Sequence, residues 1–437
     1  MRIVEALGWY LPESTGGTEV YVAGLVRRLR DLGHTLHVVV PEAGRARASL
    51  ESFEGTPVLR YPIPRHPLRA EARGEVPARG SEALGDFLRD AAPDVVHAHT
   101  LKVGLGLDEL EAARQAGARV FVTAHESRLG YLCQRGSLMR WGSEPCDGLV
   151  ERKKCAACSL QQRGLARPIA RALAAIPAPL SSRGRRVPGP LGTALSMGAL
   201  IDDNLGRQRR LLSLVEKLVV LTEAARKIAR ANGAPPDKLV LNRLGFGSGP
   251  ATRKPARATS SPVTIGYLGR FDRVKGLAVL AAALARIPRE IPLRVELRGP
   301  VRSDEERAVV AEIAALAGGD PRLSFQGAVL PEHAAEALAG YDVLCCPSLC
   351  LEGGPTVALE AFAVGTPVIG SRIGGLAELV DDRWGRLVAP GDVDALAGLL
   401  RAIAEDPGGT VDVWRAHLPA ARTMDDVTRD TLAMYEA

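Results

Sequence analysis

YDVLCCPSLCLEGGPTVALEAFAVGTPVIGSRIGGLAELV, residues 341–380, carries the reading on which the fold turns. It opens on a short apolar run (341–348), a strand signature. A polar, glycine-bearing turn follows, then helical spacing from about residue 356, then a second apolar run, TPVIGS (366–371). Strand, turn, helix and strand make one parallel β-α-β unit. The alternation recurs upstream in VTIGYLGR (263–270), LRVELRG (293–299) and LSFQG (323–327). Nearer the amino end, a strand is expected over 2–8, a helix over 16–33, and buried strands in LHVVVP (36–41), PDVVHAHT (93–100) and ARVFVTAHES (118–127). Between about 128 and 210 the pattern blurs. It returns in EKLVVLTEAARKIARANG (216–233) and DKLVLNRLG (237–245). GSGPATRKPARATSSP (247–262) has almost nothing to bury and reads as a linker.

The predicted class is therefore α/β, with two Rossmann-like domains. The first spans 1–246, with a Cys-rich and basic insert at 128–210. The second spans 263–420, and a helix over 421–437 is expected to cross back to the first. Ligands of such sheets bind outside the carboxyl ends of the strands, so a shared site is expected in a cleft between the halves. The length, 437 residues, agrees, because single cores rarely grow past about 250–300 residues.

Composition narrows the function. Aromatics make up only 4% of the chain, too few for the stacking platforms of a single-stranded nucleic-acid binder. No apolar run approaches the roughly 18–20 residues of a membrane helix. The start, MRIVEALGWYLP, reads as a first strand rather than a signal peptide. A cytoplasmic protein is expected, whose seven cysteines stay out of structural disulfides. Between Ser159 and Ile201 lie six arginines (Arg163, Arg167, Arg171, Arg183, Arg185, Arg186) and no acid. That stretch suits an anionic substrate or peripheral contact with the inner face of a membrane, or is a solvated segment.

Chemistry concentrates after the strand that ends near Cys346. The helix beginning near Thr356 offers free amides and the positive end of its dipole to a diphosphate. Gly353 and Gly354 let backbone approach a ligand closely. Pro355 suits a first helical turn but removes one donor. Glu352, in the turn, can accept hydrogen bonds from sugar hydroxyls. Glu360, about one turn into the helix, can reach a ribose diol.

With Pro347-Ser348, Glu352, Glu360, Ala361, Gly365-Thr366-Pro367-Val368, this segment resembles glycosyltransferase family 4, the retaining enzymes of GT-B fold. GYLGRFDRVKG (266–276) resembles the same family's strand, Gly-Arg, loop and Lys-Gly. The resemblance implies that Arg270 and Lys275 face the diphosphate and neutralise charge that grows in the transition state. Gly16-Gly17-Thr18-Glu19 resembles the family's glycine-rich loop beside sugar and phosphates. His125 aligns with its acceptor-domain histidine near the sugar's reactive carbon, and His97 and His99 with a strand end of structural character. Leu244-Gly245-Phe246-Gly247 lacks the acid often found there, and Gly354-Pro355 alters the usual glycine-rich turn.

What the resemblance implies is a retaining glycosyltransferase. It would move a sugar from a UDP-, GDP- or other nucleotide-diphosphate donor to a hydroxyl acceptor: a cell-surface glycan, a lipid-linked acceptor or a small molecule. A sugar-nucleotide epimerase of the same fold is the alternative in chemistry, and a polyanion- or membrane-binding module the alternative in class. No catalytic metal is expected, because Asp392 and Asp394 read as a helix cap and a dipole partner rather than a metal-holding pair. Cys133, Cys146, Cys155 and Cys158 form a Cys-x12-Cys-x8-Cys-x2-Cys series inside the insert. It suits a structural zinc that would order a loop with little core of its own, an iron–sulfur cluster being the alternative. Cys345, Cys346 and Cys350 read as buried small apolar residues.

Overall fold

The computed structural model describes residues 1–14, 16–247, 262–351 and 353–437. These form two compact units, one of Met1–Gly142, Cys146–Arg243 and Met424–Ala437, the other of Ser143–Pro145 and Leu244–Thr423. Most of the expected linker, and Glu352, lie outside the described residues.

In the first unit, strands β1 (Arg2–Ala6), β2 (Thr35–Ala43), β3 (Ser49–Phe53), β4 (Thr56–Ile63), β5 (Val95–Ala98), β6 (Arg119–Ala124), β7 (Lys217–Val220) and β8 (Leu239–Leu241) form one sheet. Its order is β8-β7-β6-β5-β1-β2-β4-β3, parallel except for β3, which pairs antiparallel with β4. The parallel strands are near-continuous apolar runs because helices cover both faces. β1 is central, and the chain leaves it toward β2 on one side and later returns to β5 on the other. The carboxyl ends of β1 and β5 therefore flank the topological switch of this sheet, the usual place for a ligand. In register, Glu5 stands directly beside His97.

The second sheet contains β9 (Val263–Leu268), β10 (Leu293–Arg298), β11 (Leu323–Gln326), β12 (Val343–Cys346), β13 (Val368–Ser371) and β14 (Gly385–Val388). All are parallel, in the order β11-β10-β9-β12-β13-β14. Its switch lies between β9 and β12.

The helices that matter are α1 (Gly17–Asp31), α2 (Leu107–Gln115), α3 (Arg152–Gln162), α4 (Arg167–Ala174), α5 (Met197–Leu214), α6 (Glu223–Ala231), α7 (Leu277–Ala285), α8 (Asp304–Ala317), α9 (Thr356–Ala363), α10 (Val393–Glu405) and α11 (Met424–Glu436). Several announce their caps. Thr222 accepts the Ala225 amide, and Ser303 and Glu306 form a reciprocal capping box. α11 packs on α1, where Arg28 pairs with Asp425. Asn242, just past β8, donates to the Thr431 hydroxyl at 3.1 Å.

One expectation needs correcting. The insert is not a loop short of core but a helical subdomain. α3 packs on α4 and α5, burying Ala156, Leu160, Ala170, Met197, Ile201 and Trp141. Arg167 and Arg171 lie over the Trp141 ring, 5.3 and 5.6 Å from its centroid, and Arg185 bonds Asp203 at 2.7 Å. Arg163 bonds the Ser159 carbonyl at 3.3 Å, so four of these six arginines have local partners. Among the described residues no helix is long and apolar enough to cross a membrane.

Because Leu160 is fully buried in this small core, Leu160→Ala should destabilise the protein by about 2–5 kcal/mol, read from denaturant midpoints. A loss under about 0.5 kcal/mol would mean that the insert contributes no packed core.

Candidate functional site

In the second unit the carboxyl edge beside the switch is built from two turns. The first follows β9. Tyr267 donates its hydroxyl to the Arg270 carbonyl at 2.6 Å, and Asp272 accepts the Val274 amide at 3.1 Å, forming a tight turn through Lys275. The second turn follows β12 through Pro347-Ser348. The two are joined where the Leu349 amide donates to the Val274 carbonyl at 2.8 Å. Gly276, which caps α7 with φ +72°, sits at the junction, and a Cβ there would lie 1.9 Å from the Pro347 carbonyl oxygen. Only glycine tolerates both the left-handed backbone and that approach.

Arg270 is exposed at this edge and Lys275 half-buried. Past Gly353 and Gly354 (φ +108°), α9 begins at Thr356. Pro355 is its N-cap rather than a residue of its first turn. Glu360 is half-buried on that helix, and burial raises its carboxyl pKa. No partner holds that carboxylate among the described residues. Gly365 (φ +83°) stops the helix, and the Thr366 amide returns to the Ala361 carbonyl at 2.8 Å while its hydroxyl donates to the Leu338 carbonyl at 2.9 Å. The Ala361 to Val368 part of the motif is therefore a helix stop that launches β13. Asp392 caps α10 by accepting the Ala395 amide at 2.9 Å, and Asp394, in the first turn of that helix, pairs with Arg286. Cys345, Cys346 and Cys350 are buried.

In the first unit, Gly16 caps α1 and Gly17 is its first residue, with open space where a Cβ would stand. Behind it lies a polar cluster that sequence reading did not assemble. Glu5 on β1, fully buried, accepts or shares a proton with His99 Nε2 at 2.7 Å. His99 Nδ1 meets His125 Nε2 at 2.9 Å. His97 Nδ1 meets the Tyr435 hydroxyl of α11 at 2.5 Å, His97 Nε2 meets the Thr123 hydroxyl at 2.7 Å, and Tyr435 reaches Glu5 Oε1 at 3.3 Å. The Tyr21 ring stands edge-on to His125, centroids 4.9 Å apart. Burial pushes the Glu5 carboxyl up to about 7 against the pull of His97 and Tyr435. It pushes His99 down to about 3, and lowers His97 and His125 well below the usual imidazole range. Donor atoms of Glu5, His97 and His99 lie within 4.8 Å of one another, spacing that a metal could use. Every nitrogen of these two rings already has a protein partner, so the cluster is a hydrogen-bonded network.

The loops after β5 and β6 and the insert enclose a cavity of about 650 Å³. Arg69, Arg73, Arg128, Arg163, Arg207 and Lys102 line it. Three of its four acids are engaged, Glu71 with Arg79, Glu109 with the Gly106 amide and Asp108 with Arg210, while Glu126 lines it as an exposed carboxylate. Burial and then Arg69 lower the Arg73 pKa. The crevice at His125 shares Thr100, Leu101, Glu126, Arg128 and Gly130 with this cavity.

The four insert cysteines are free and half-buried. Cys133 accepts the Gly136 amide at 3.3 Å. Burial, with Cys146 and Cys133 nearby, raises the Cys155 thiol to about 11. The four sulfurs are not gathered into one ligand cluster.

Comparisons with known proteins agree with this architecture. Residues 16–158 match the family model of the glycosyl transferase 4-like domain, and residues 262–406 that of glycosyl transferases group 1. The chain is similar to a D-inositol 3-phosphate glycosyltransferase of Kribbella flavida, 29% identical over 52% of this chain and 58% of that one. It is also similar to a phosphatidyl-myo-inositol mannosyltransferase of Mycolicibacterium smegmatis, 38% identical over 33% and 36%. The chain thus spans less than two thirds of the length of these relatives. Among solved structures it superposes along its full length on Anabaena HepE in complex with UDP and glucose, TM-score 0.65 at 15% identity. Sucrose-phosphate synthase from Thermosynechococcus elongatus matches over 100% of this chain and 98% of that one, TM-score 0.64 at 19% identity. The fold is GT-B.

Two predictions follow from this geometry. Gly276→Ala should cost about 1–3 kcal/mol in unfolding free energy, and a neutral result would contradict the tight junction. The Glu5 pKa is raised in the folded state, about 7 against an ordinary 4.5. The folded protein therefore keeps a proton that the unfolded chain releases, and stability from this group is full below the lower value and lost as pH rises through the upper. Glu5→Gln removes that dependence, so the variant's stability relative to wild type should increase from pH 5 to pH 8. A constant difference in urea midpoints would contradict it.

Proposed function

Because the chain belongs to glycosyltransferase family 4, pairing a 4-like domain with a group 1 domain, we propose that it transfers a glycosyl group from a nucleotide-diphosphate sugar to a hydroxyl acceptor with retention at the anomeric carbon. The observation that carries the proposal is the junction of two turns at the switch of the second sheet. It sets Lys275, Arg270 and the amino end of α9 along one strand edge. A diphosphate there meets a planar fork, a point charge and free amides, which together stabilise the departing nucleoside diphosphate. Glu360, a half-buried carboxylate without a protein partner among the described residues, is assigned the ribose diol. Glu352 is assigned the sugar hydroxyls on its motif alone, Gly16 and Gly17 the approach to sugar and phosphates, and His125 the reacting sugar. No catalytic metal is required, since these groups supply the positive potential.

The acceptor we propose is anionic. The arginine-lined cavity adjoining the His125 crevice supports this, and the inositol phosphate in one relative's name is of that chemistry. We place the enzyme in the cytoplasm, peripheral to the inner membrane face. Ile169, Leu180 and Leu191 support that contact, being 56%, 53% and 63% exposed on three short helices of the insert, Leu180 on the one that also carries Arg183. We assign Cys133, Cys146, Cys155 and Cys158 a structural zinc. The Cys-x12-Cys-x8-Cys-x2-Cys series alone supports that assignment, metal binding would have to draw the four sulfurs together, and elemental analysis showing no zinc or iron would remove it.

In a thermal-shift panel, one nucleoside diphosphate at a hundred times its Kd should add about 2.7 kcal/mol to stability. Arg270→Ala and Lys275→Ala should each weaken its binding about 10- to 100-fold. Turnover that survives both changes would contradict the site. Release of nucleoside diphosphate only when acceptor is added separates transfer from epimerisation. Binding to polyanions that collapses with salt, without nucleotide affinity, would favour the binding-module alternative.

A further inference from the structure

We propose that Glu5, His99 and His125 form a proton relay that sets whether the open nitrogen of His125, Nδ1, donates or accepts a hydrogen bond. Glu5 and His99 are thereby positioning residues for the proposed transfer. Their functional role rests on the reading that His125 faces the reacting sugar; the relay itself rests on the geometry alone.

Three observations carry it. The links are short and continuous, 2.7 Å from Glu5 Oε2 to His99 Nε2 and 2.9 Å from His99 Nδ1 to His125 Nε2. Both nitrogens of His99 are consumed by the chain, so its ring can pass polarity from one end to the other. Glu5, His99 and Tyr435 are sealed at 0%, 1% and 1% exposure, while His125 is only part-buried and opens on a crevice beside Thr100 and Arg128. His125 Nδ1 has no protein partner among the described residues. A proton from solvent therefore reaches the carboxyl through His125.

The two end states follow from donor and acceptor matching. With Glu5 ionised, His99 Nε2–H donates to the carboxylate. His99 Nδ1 is then a lone pair that accepts from His125 Nε2–H, and His125 Nδ1 is left as an acceptor. When a solvent proton lands on His125 Nδ1, His125 passes its Nε2 proton to His99 Nδ1. His99 passes its own Nε2 proton to Glu5 Oε2. The system has gained one proton, stored as a neutral carboxylic acid, and His125 Nδ1–H is now a donor. No imidazolium persists, as burial of these rings requires.

The groups facing Glu5 are His97 on β5, His99 just past its end, Tyr435 from α11, and Tyr10, whose hydroxyl feels its charge. Thr123 of β6 holds His97. Burial opposes ionisation of Glu5, and the Tyr435 hydroxyl favours it, so the switch falls near neutral pH. An acceptor nitrogen can take the hydrogen of a carbohydrate hydroxyl, whereas a donor nitrogen cannot. The polarity of this nitrogen is therefore a condition on catalysis.

The test uses the full chain labelled with 15N-histidine, in which two-bond nitrogen–proton spectra separate Nδ1–H from Nε2–H tautomers. Between pH 8.5 and 5.5 the His125 and His99 signals should change from Nε2–H to Nδ1–H together, with one midpoint. Glu5→Gln should abolish the transition, and Tyr435→Phe should keep it but raise its midpoint. A His125 tautomer that ignores pH in the wild type, or that switches identically in Glu5→Gln, overturns the relay. So does an unmoved midpoint in Tyr435→Phe, should the Gln variant fail to fold. Kinetics then separate this from the proposed function. kcat/KM should bend at the same midpoint in the wild type and not in Glu5→Gln, with donor KM unchanged. A tautomer switch in a protein with no nucleotide-sugar turnover leaves the relay standing and removes the transferase.

Discussion

The close approach of Gly276 to the Pro347 carbonyl, where a Cβ would stand only 1.9 Å from oxygen, is the constraint on which the second unit of this protein depends. β9 and β12 are neighbours across the switch of a parallel sheet, and their following turns leave the same edge. With glycine at the contact, the turns close on each other through the Leu349 amide and the Val274 carbonyl. That closure ties the backbone of Lys275, which precedes the glycine, to that of Leu349. The proposed diphosphate clamp would thus be set by main-chain packing, with side chains supplying charge at its margin. Such preorganisation is what makes electrostatic stabilisation effective, because no reorganisation is needed when charge develops.

The first unit rests on a different constraint. An acid in the central strand of a buried sheet must be neutralised or hydrogen-bonded. Glu5 is satisfied by register, which places His97 beside it, by the strand end that carries His99, and by a tyrosine from the last helix of the chain. α11 consequently does more than cover α1. Its Tyr435 completes a polar network that ends at His125, so the carboxyl terminus bears on the chemistry of a residue more than three hundred positions away.

Much of this was legible in the sequence, for identifiable reasons. Parallel strands covered on both faces are apolar runs, so β2, β6, β9 and β12 stand out without any structure. The Glu-x7-Glu setting was legible because a helix start, a helix stop at Gly365 and a strand launch at Thr366-Pro367 are local events. The helices of the insert were not. They are short, rich in Ala and Arg and punctuated by Pro168, Pro177, Pro179, Pro188 and Pro190, which erases a periodic apolar stripe. β3, SLESF, is a largely exposed edge strand, and β14, GRLV, opens on a glycine and carries an exposed arginine, so no apolar run marks it. The Glu5 network escaped notice because it depends on strand register and on a helix from the far end of the chain. Its only sequence signal was an acid inside MRIVEALG and a His-Ala-His at another strand end. The cavity arginines come from four separate segments, which no local pattern unites.

The most direct test of the central claim is a crystal of the protein soaked with uridine or guanosine diphosphate. The account predicts electron density for the two phosphates against the amides that open α9, within hydrogen-bonding reach of Arg270 and Lys275, with the ribose at Glu360. A diphosphate found in the arginine-lined cavity of the first unit, with the edge after β9 and β12 vacant in the same crystal, would contradict it.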